Sequence, residues 1–342
     1  MPKSTTKLKQ YFPMIRERED IKREIRENPK LLEKYREWDE EQQEEFLDYC
    51  TGVKGVKVLY DAFFKEIMNP ENTPERLNEL LSLLLGQSVT IKRVLPGDST
   101  RLADEQSLLI MDILVELADT SLANVEVQKI GYSFPGQRSA CYSSDLLLRQ
   151  YKRVKGEKKK AFSYKDIKSV YTIVFFETSI KEFHEYPQNY IHKFKQQSDT
   201  GLGLELLQKY VFIPLDIFRG IYHNNLRNKT EAWLTFLSTD EPEIIIELIS
   251  QYPEFKEMYE EIYVMCQNVE KVMEMFSKEL IQLDRNTVQY MIDEMQDTID
   301  VQKEELEAKQ ETIDTQKEEL ETARRQLQEM AEKLRQLEKA EK

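Results

Sequence analysis

Apolar positions change their period twice along the chain. Over residues 15–50 they are sparse and helically spaced, as in Arg16-Glu-Arg-Glu-Asp-Ile21 and Leu31-Leu-Glu-Lys-Tyr-Arg-Glu-Trp38, between residues that favour helix. Gly52 and Gly55 interrupt this pattern, and helical spacing resumes from Val58 to Met68. Pro70 to Pro74 reads as a loop, and Pro74 suits the first turn of a helix that runs to Leu85 and stops at Gly86. Beyond Gly86 the period falls to two. Val89–Leu95 predicts a strand stopped by Pro96-Gly97-Asp98, Leu108–Leu117 a second, and Ala123–Ile130 a third, with a short turn over 118–122. Gly131 to Gly136 is a loop and Gln137 to Tyr151 a helix; Val170–Phe176 and Tyr210–Leu215 are further strands, the last with Pro214 at an edge or an end. The order helix, strand, strand, strand, helix, strand, strand predicts an α/β (α+β) core over roughly 55–220.

From Asn228 onward the pattern is helical again, and the tail carries a strict 3–4 spacing. Ile292, Met295, Ile299, Gln302, Leu306, Lys309, Ile313, Gln316, Leu320, Ala323, Leu327, Met330, Leu334 and Leu337 form one seam. The segment from Thr298 returns almost unchanged from Thr312, a period of two heptads, which predicts a coiled coil. Gln302, Lys309 and Gln316 lie in that seam and weaken it. The chain divides accordingly into an N-terminal helical extension (1–54), a core (55–222), a helical accessory region (223–287) and a coiled coil (288–342).

Net charge is −14 over 342 residues, which taken whole argues against a nonspecific nucleic-acid binder. The distribution changes that picture: residues 149–168 are net +7 and residues 290–342 net −7. Three cysteines without Cys-x-x-Cys spacing and three scattered histidines give no zinc site. No apolar run approaches the ~20 residues of a membrane span, and the basic, polar N-terminus does not read as a secretion signal. The expectation is a cytoplasmic protein without a membrane partner.

The second and third strands carry the candidate chemistry. Alternation puts Ile110, Asp112, Leu114 and Glu116 on one face of the second, and Asn124, Glu126 and Gln128 on one face of the third. The short turn makes the pair antiparallel, so Asp112 and Glu126 converge with Gln128 beyond them. Two carboxylates beside a polar neighbour suit a hard divalent cation such as Mg2+, with Mn2+ able to substitute. Such an ion polarises a phosphoryl oxygen and lowers the pKa of a bound water. The backbone carbonyl of Val127 can complete the ligand set.

Asp112, thirteen residues, then Glu126-Val127-Gln128 resembles the PD-(D/E)XK nuclease motif in a Glu-x-Gln form. The blocks Val58-Leu-Tyr-Asp-Ala-Phe-Phe-Lys, Leu80-Leu-Ser-Leu-Leu-Leu-Gly and Arg138-Ser-Ala-Cys-Tyr-Ser-Ser-Asp-Leu-Leu-Leu-Arg-Gln-Tyr stand in the order of the PD-(D/E)XK nuclease family transposases, also called recombination-promoting nucleases. The resemblance covers Val58 to Gly220 well and continues loosely to about Asp293. It implies a restriction-endonuclease-like core with a mixed sheet flanked by helices, and a magnesium-dependent endonuclease acting on double-stranded DNA in recombination, mobile-element or defence biology. By resemblance, Asp112 and Glu126 match the metal ligands, and Gln128 stands where the family usually has Lys. A further acid before the first strand falls on Glu79 or, alternatively, Asp61. Arg138 and Tyr142 match an Arg-x-x-x-Tyr block, with Arg149 near them. Lys152, Arg153, Lys158, Lys159 and Lys160 form a basic run expected to track phosphates as a loop. A second copy joined through the coiled coil is the expected protein partner. The competing reading is a catalytically decayed nuclease fold kept as a coiled-coil interaction or DNA-binding module, which the neutral Gln128 favours.

Overall fold

The computed structural model describes residues 6–95, 113–130, 135–221 and 226–340. Asp112 and the first part of the strand expected over 108–117 lie outside these residues. Six helices lead the chain: α1 (Lys7–Tyr11), α2 (Arg18–Glu27), α3 (Pro29–Glu37), α4 (Glu40–Thr51), α5 (Asp61–Ile67) and α6 (Pro74–Leu85). Asp39 opens α4 with a reciprocal capping box to Gln42, and Gly52 closes it in the left-handed region at φ 67°, both in keeping with helix-end chemistry. Strands β1 (Ile91–Leu95), β2 (Ile113–Leu117) and β3 (Leu122–Ile130) follow, then α7 (Pro135–Lys158) and two 3-10 turns (Lys159–Ala161 and Tyr164–Asp166). After these come β4 (Val170–Thr178), α8 (Lys181–His184), β5 (His192–Lys195), β6 (Gln208–Pro214) and α9 (Leu215–Ile221). Helices α10 (Lys229–Ser238), α11 (Pro242–Gln251), α12 (Glu254–Met265) and the long α13 (Val269–Ala340) complete the chain.

The strands form one mixed six-stranded sheet in the order β1-β2-β3-β4-β6-β5. The first three are antiparallel neighbours, β3, β4 and β6 are parallel, and β5 returns antiparallel to β6. This is a mixed α/β architecture, a mixed sheet flanked by helices as expected from the sequence. Two compact units are present, residues 1–287 and 288–342. No described helix is long and apolar enough to cross a membrane.

The principal core lies on one face of the sheet. Ile113, Val115, Ala123, Val125, Ile173, Phe175 and Ile213 face it, met by Leu77, Leu80, Leu81 and Leu84 of α6. Helices from both ends of the first unit share it: Phe12 packs against Tyr263 at 5.1 Å, and Trp38 against Phe276 of α13 at 4.9 Å between ring centroids. The opposite face is covered by α7, whose Tyr142 and Leu146 pack on Leu114, Leu122 and Val170.

The basic run from Lys152 is a correction to the sequence reading. It is not a loop: α7 continues through it to Lys158 and only then tightens into a 3-10 turn. Lys, Arg and Glu favour helix strongly enough to absorb the roughly 1 kcal/mol that Gly156 costs. The pattern also failed to show β5 and α9. β5 is four residues of His-Lys-Phe-Lys, largely exposed, and it exists by pairing with β6. Pro214 ends β6 rather than lying on the sheet edge.

Two buried charges fasten the sheet to its surroundings. Glu116 of β2 is 1% exposed. It receives Lys92 at 3.2 Å and Arg93 at 2.9 Å from β1, and Arg153 from α7. Burial pushes its carboxyl pKa up, but the hydrogen bonds from Arg93 and Lys92 and the charge of Arg153 more than offset this and hold it below the usual carboxylate range. On the other face Lys129 of β3, 5% exposed, meets Glu279 of α13 at 3.2 Å and Glu177 of β4 at 3.5 Å. Its ammonium stands 4.5 Å from the Tyr60 ring centroid. Tyr60 in turn donates to Glu45 of α4 at 3.2 Å, and Lys57 donates to the same oxygen at 2.9 Å.

Removing one member of a buried ion pair leaves the other uncompensated. Lys129→Met is expected to lower unfolding free energy by about 3 kcal/mol, and adding Glu279→Leu should recover most of that loss; chemical denaturation of the three proteins checks both. For Glu116 the folded pKa lies below the unfolded one, so its contribution is present above about pH 4.3 and is lost as pH falls through the lowered folded value. The stability gap between the parent and Glu116→Gln is therefore expected to be widest near neutral pH and to close on acidification. Denaturant midpoints measured across the acid range check this, and a gap that widens toward acid would contradict it.

Candidate functional site

The β2–β3 hairpin builds the site. Alternation in β3 sends Asn124, Glu126 and Gln128 to the face covered by α7, and Val125 and Lys129 to the principal core. The register puts Leu114 opposite Asn124 and Glu116 opposite Leu122, so β2 contributes Leu114 and Glu116 to the same face. β4 sets Thr172 beside Asn124, Val174 beside Glu126 and Phe176 beside Gln128. Apolar residues enclose these polar ones: one cluster contains Leu114, Leu122, Tyr142, Leu146 and Val170, and another contains Val174, Phe176, Phe183, Phe212 and Ile217. In such surroundings charges and hydrogen bonds act more strongly than in water.

Glu126 is 6% exposed and Gln128 only 2%. The Gln128 amide Nε2 donates to Glu126 Oε1 at 3.1 Å, which ties the two side chains to one another along the strip. Among the described residues, Gln128 Oε1, both amide atoms of Asn124 and the hydroxyls of Thr172, Ser139 and Ser143 are buried without a hydrogen-bond partner. Leaving such a group unpaired costs about 1–3 kcal/mol, so this strip of amides and hydroxyls is suited to water, an ion or a phosphate.

The expected site residues divide into those the fold brings together and those it separates. Glu126 and Gln128 are together. Asp112 lies outside the described residues, as does the side chain of Asp61, whose backbone opens α5. Glu79 is not brought to Glu126. It sits on α6, on the side of the sheet that holds the principal core, and accepts from Trp233 Nε1 at 2.8 Å with Lys229 at 3.6 Å. Val127 faces the principal core, where it is partly buried.

From α7, Tyr142 is 4% exposed and receives a hydrogen bond from Arg138 Nη2 at 3.3 Å. Arg149 reaches back one turn to Asp145 at 2.8 Å, and Arg153 is drawn to Glu116. The two later arginines therefore face carboxylates of the protein itself. Lys152, Lys158, Lys159 and Lys160 are exposed at the end of α7. Thr172, Ser139 and Ser143 were missed by sequence reasoning. Ser139 and Ser143 are spaced i, i+4 beside Tyr142, a signal for the buried stripe of a helix, whereas nothing local marks Thr172 within an apolar strand.

The donor set is oxygen throughout: the Glu126 carboxylate, the Gln128 amide oxygen and neighbouring hydroxyls. That chemistry fits a hard divalent ion. The described residues hold no group of three or more His, Cys, Asp or Glu side chains placed to share a metal.

The chain was compared with known proteins. No match was found among curated proteins or among solved structures. The family model for the PD-(D/E)XK nuclease family transposase matches residues 58–294, a span that contains the whole sheet, α7 and the first part of α13. The β2–β3 hairpin with its buried Glu126–Gln128 pair lies within that match, and the chain belongs to the PD-(D/E)XK nuclease family transposases.

Proposed function

We propose that this protein is a divalent-metal-dependent DNA endonuclease whose centre is Asp112, Glu126 and Gln128. The observation that carries the reading is the buried Glu126–Gln128 pair on a polar strip of β3, in a chain of a nuclease family. The described register of the hairpin ends at Ile113↔Val125. Asp112 immediately precedes that pair in sequence and Glu126 immediately follows it, which supports the two carboxylates as joint ligands.

In this reading Glu126 and Asp112 hold the ion, with the Val127 backbone carbonyl as a further ligand. When bound, Mg2+ supplies polarisation of a phosphoryl oxygen and a water of lowered pKa. Gln128 does two things at once. Its Nε2 holds the Glu126 carboxylate in place, and its Oε1 faces the strip as an acceptor able to orient water. A neutral amide places no positive charge on the reacting phosphate, so the protein lacks one source of the electrostatic stabilisation that a lysine would give. Tyr142, held by Arg138, closes the side of the strip beneath α7 and keeps bulk water from Glu126.

The second unit supports a dimeric enzyme. Ile292, Met295, Ile299, Leu306, Ile313, Leu320 and Leu327 are each 44–64% exposed along the helix. An apolar seam of that length is a burden on a single helix and is relieved by pairing with another. A second copy would then carry two nuclease units for two cuts.

The direct test incubates the full chain, and an Asp112→Ala/Glu126→Ala variant, with supercoiled plasmid in magnesium and in chelator. Magnesium-dependent nicking by the parent alone is expected. Equal cutting by both proteins would refute the site, and no cutting by either folded protein would favour a decayed nuclease fold acting as a binding module. Gln128→Lys is expected to raise the single-turnover cleavage rate by about tenfold to a hundredfold; a fall would show that the amide's grip on Glu126 matters more than added charge. Leu306→Asn with Ile313→Asn is expected to convert a dimer to a monomer in light scattering, leaving the melting of the first unit unchanged.

A further inference from the structure

The end of α7 carries a feature that the proposed cleavage does not use. Tyr151, Phe162 and Tyr164 form a three-ring cluster on the surface. Tyr151 and Tyr164 stack with centroids 6.1 Å apart and 13° between planes. Phe162 packs edge-on to both, at 5.6 Å and 5.4 Å. Tyr164 is 75% exposed, an unusual state for a ring already committed to a stack.

Its position is built rather than incidental. Lys159 takes a left-handed φ of 46°, which turns the chain back out of α7. Ser163 and Asp166 then form a capping box around Tyr164: Ser163 N donates to Asp166 Oδ2 at 2.8 Å, and Lys158 holds the same carboxylate at 2.5 Å. Tyr164 thus stands at the head of a capped turn, stacked on Tyr151 and otherwise open to solvent.

Cations surround it. Lys152, Lys155, Lys158, Lys159, Lys160 and Lys165 are all exposed. Lys155 donates to the Tyr151 hydroxyl at 2.7 Å and stands 5.1 Å from that ring. Among the described residues, Lys158 is the one lysine of this group in an ion pair with a carboxylate. The arginines of the same stretch face inward to Asp145 and Glu116, which leaves the surface to lysines and rings.

We propose that the Tyr151–Phe162–Tyr164 cluster is a stacking platform for an unpaired base of single-stranded DNA, with the surrounding lysines on its phosphates. Lysines alone would serve a duplex, whose bases are already stacked on one another. A rigid exposed ring among cations matches the way single strands are held, by base–aromatic stacking over a positive surface. The proposal rests on the nuclease reading for its DNA, and it adds the form of DNA that is bound. The platform stands apart from the cleavage strip. Gln150, next to Tyr151, donates to the carbonyl of Thr120 at 3.4 Å and accepts from Lys168 N at 2.7 Å. Glu126 lies six residues beyond Thr120, the last five of them along β3, a separation of at most about 20 Å. The platform therefore engages a frayed end or displaced strand beside the cut.

Fluorescence anisotropy of the full chain in chelator tests this, with a labelled 12-nucleotide single strand and a blunt duplex of the same sequence as probes. The parent is expected to bind the single strand, and Tyr164→Ala to weaken that binding by about 5- to 100-fold, with duplex affinity changed less than about twofold. Tyr164→Trp should retain single-strand binding. Absence of single-strand binding by the parent, no effect of Tyr164→Ala, or an equal loss on both probes would overturn the platform. A thermal melt of Tyr164→Ala matching the parent excludes a folding defect. Plasmid cleavage by the same preparations separates the two ideas: cleavage with no single-strand binding sinks the platform alone, and Tyr164-dependent binding with no cleavage sinks the nuclease reading alone.

Discussion

β3 carries ionisable groups on both of its faces and is buried on both. This constraint governs the surrounding structure. A central strand flanked by parallel and antiparallel neighbours cannot turn Glu126 or Lys129 to solvent, so each needs partners supplied by other elements. Lys129 is answered by Glu177 at the end of β4, by the Tyr60 ring and by Glu279 at the start of α13. Those partners come from segments far apart in the chain, and bringing them together pins the N-terminal helices and the start of the long C-terminal helix to the strand that bears the site. Glu126 is answered locally by Gln128. Three residues along the strand therefore separate Lys129, which ties distant elements together on one face, from Glu126, which lies on the polar strip of the other.

Much of this was legible in the sequence because it depends on short-range periodicity. Alternating or continuous apolar runs bounded by turn residues marked β1, β2, β3, β4 and β6, and alternation alone assigned Glu126 and Gln128 to one face of β3. The short turn expected over 118–122 implied that β2 and β3 are antiparallel, as the register shows. What was not legible depends on contacts between distant segments. β5 is a polar tetrapeptide stabilised by its neighbour, and no local pattern announces it. Glu79 has the right residue type and lies just before the first strand, yet Trp233 and Lys229 hold it on the core side of the sheet. That choice depends on α10, more than 150 residues away in sequence. Thr172 enters the site only because β4 pairs with β3 in parallel.

The basic stretch after the Arg138 block shows why counting charge is a poor guide to where it acts. The segment is strongly positive as text, yet the helix sorts it by geometry. Arg149 and Arg153 fall on the inner side of α7, where planar guanidinium groups can reach Asp145 and Glu116 in buried surroundings. Lysines, with compact and strongly hydrated charges, stay at the surface beyond the sheet. The inward arginines anchor the helix over the polar strip, and the outward lysines create a positive surface on an acidic protein.

That separation bears on how a chain of net charge −14 can approach a polyanion. Screening confines the influence of an exposed charge to about 8–10 Å at physiological ionic strength, so the field at the end of α7 is set by the charges clustered there rather than by the net charge of the chain. In the proposed reading a compact cluster of lysines would orient a nucleic acid along α7, the same helix that covers Glu126 and Gln128. Orientation by the far end of that helix would place the strand without crowding the reacting phosphate with further cations. In the proposed reading Gln128 adds no charge of its own, so affinity would come from α7 and the chemistry would be left to Asp112, Glu126 and the ion they would hold.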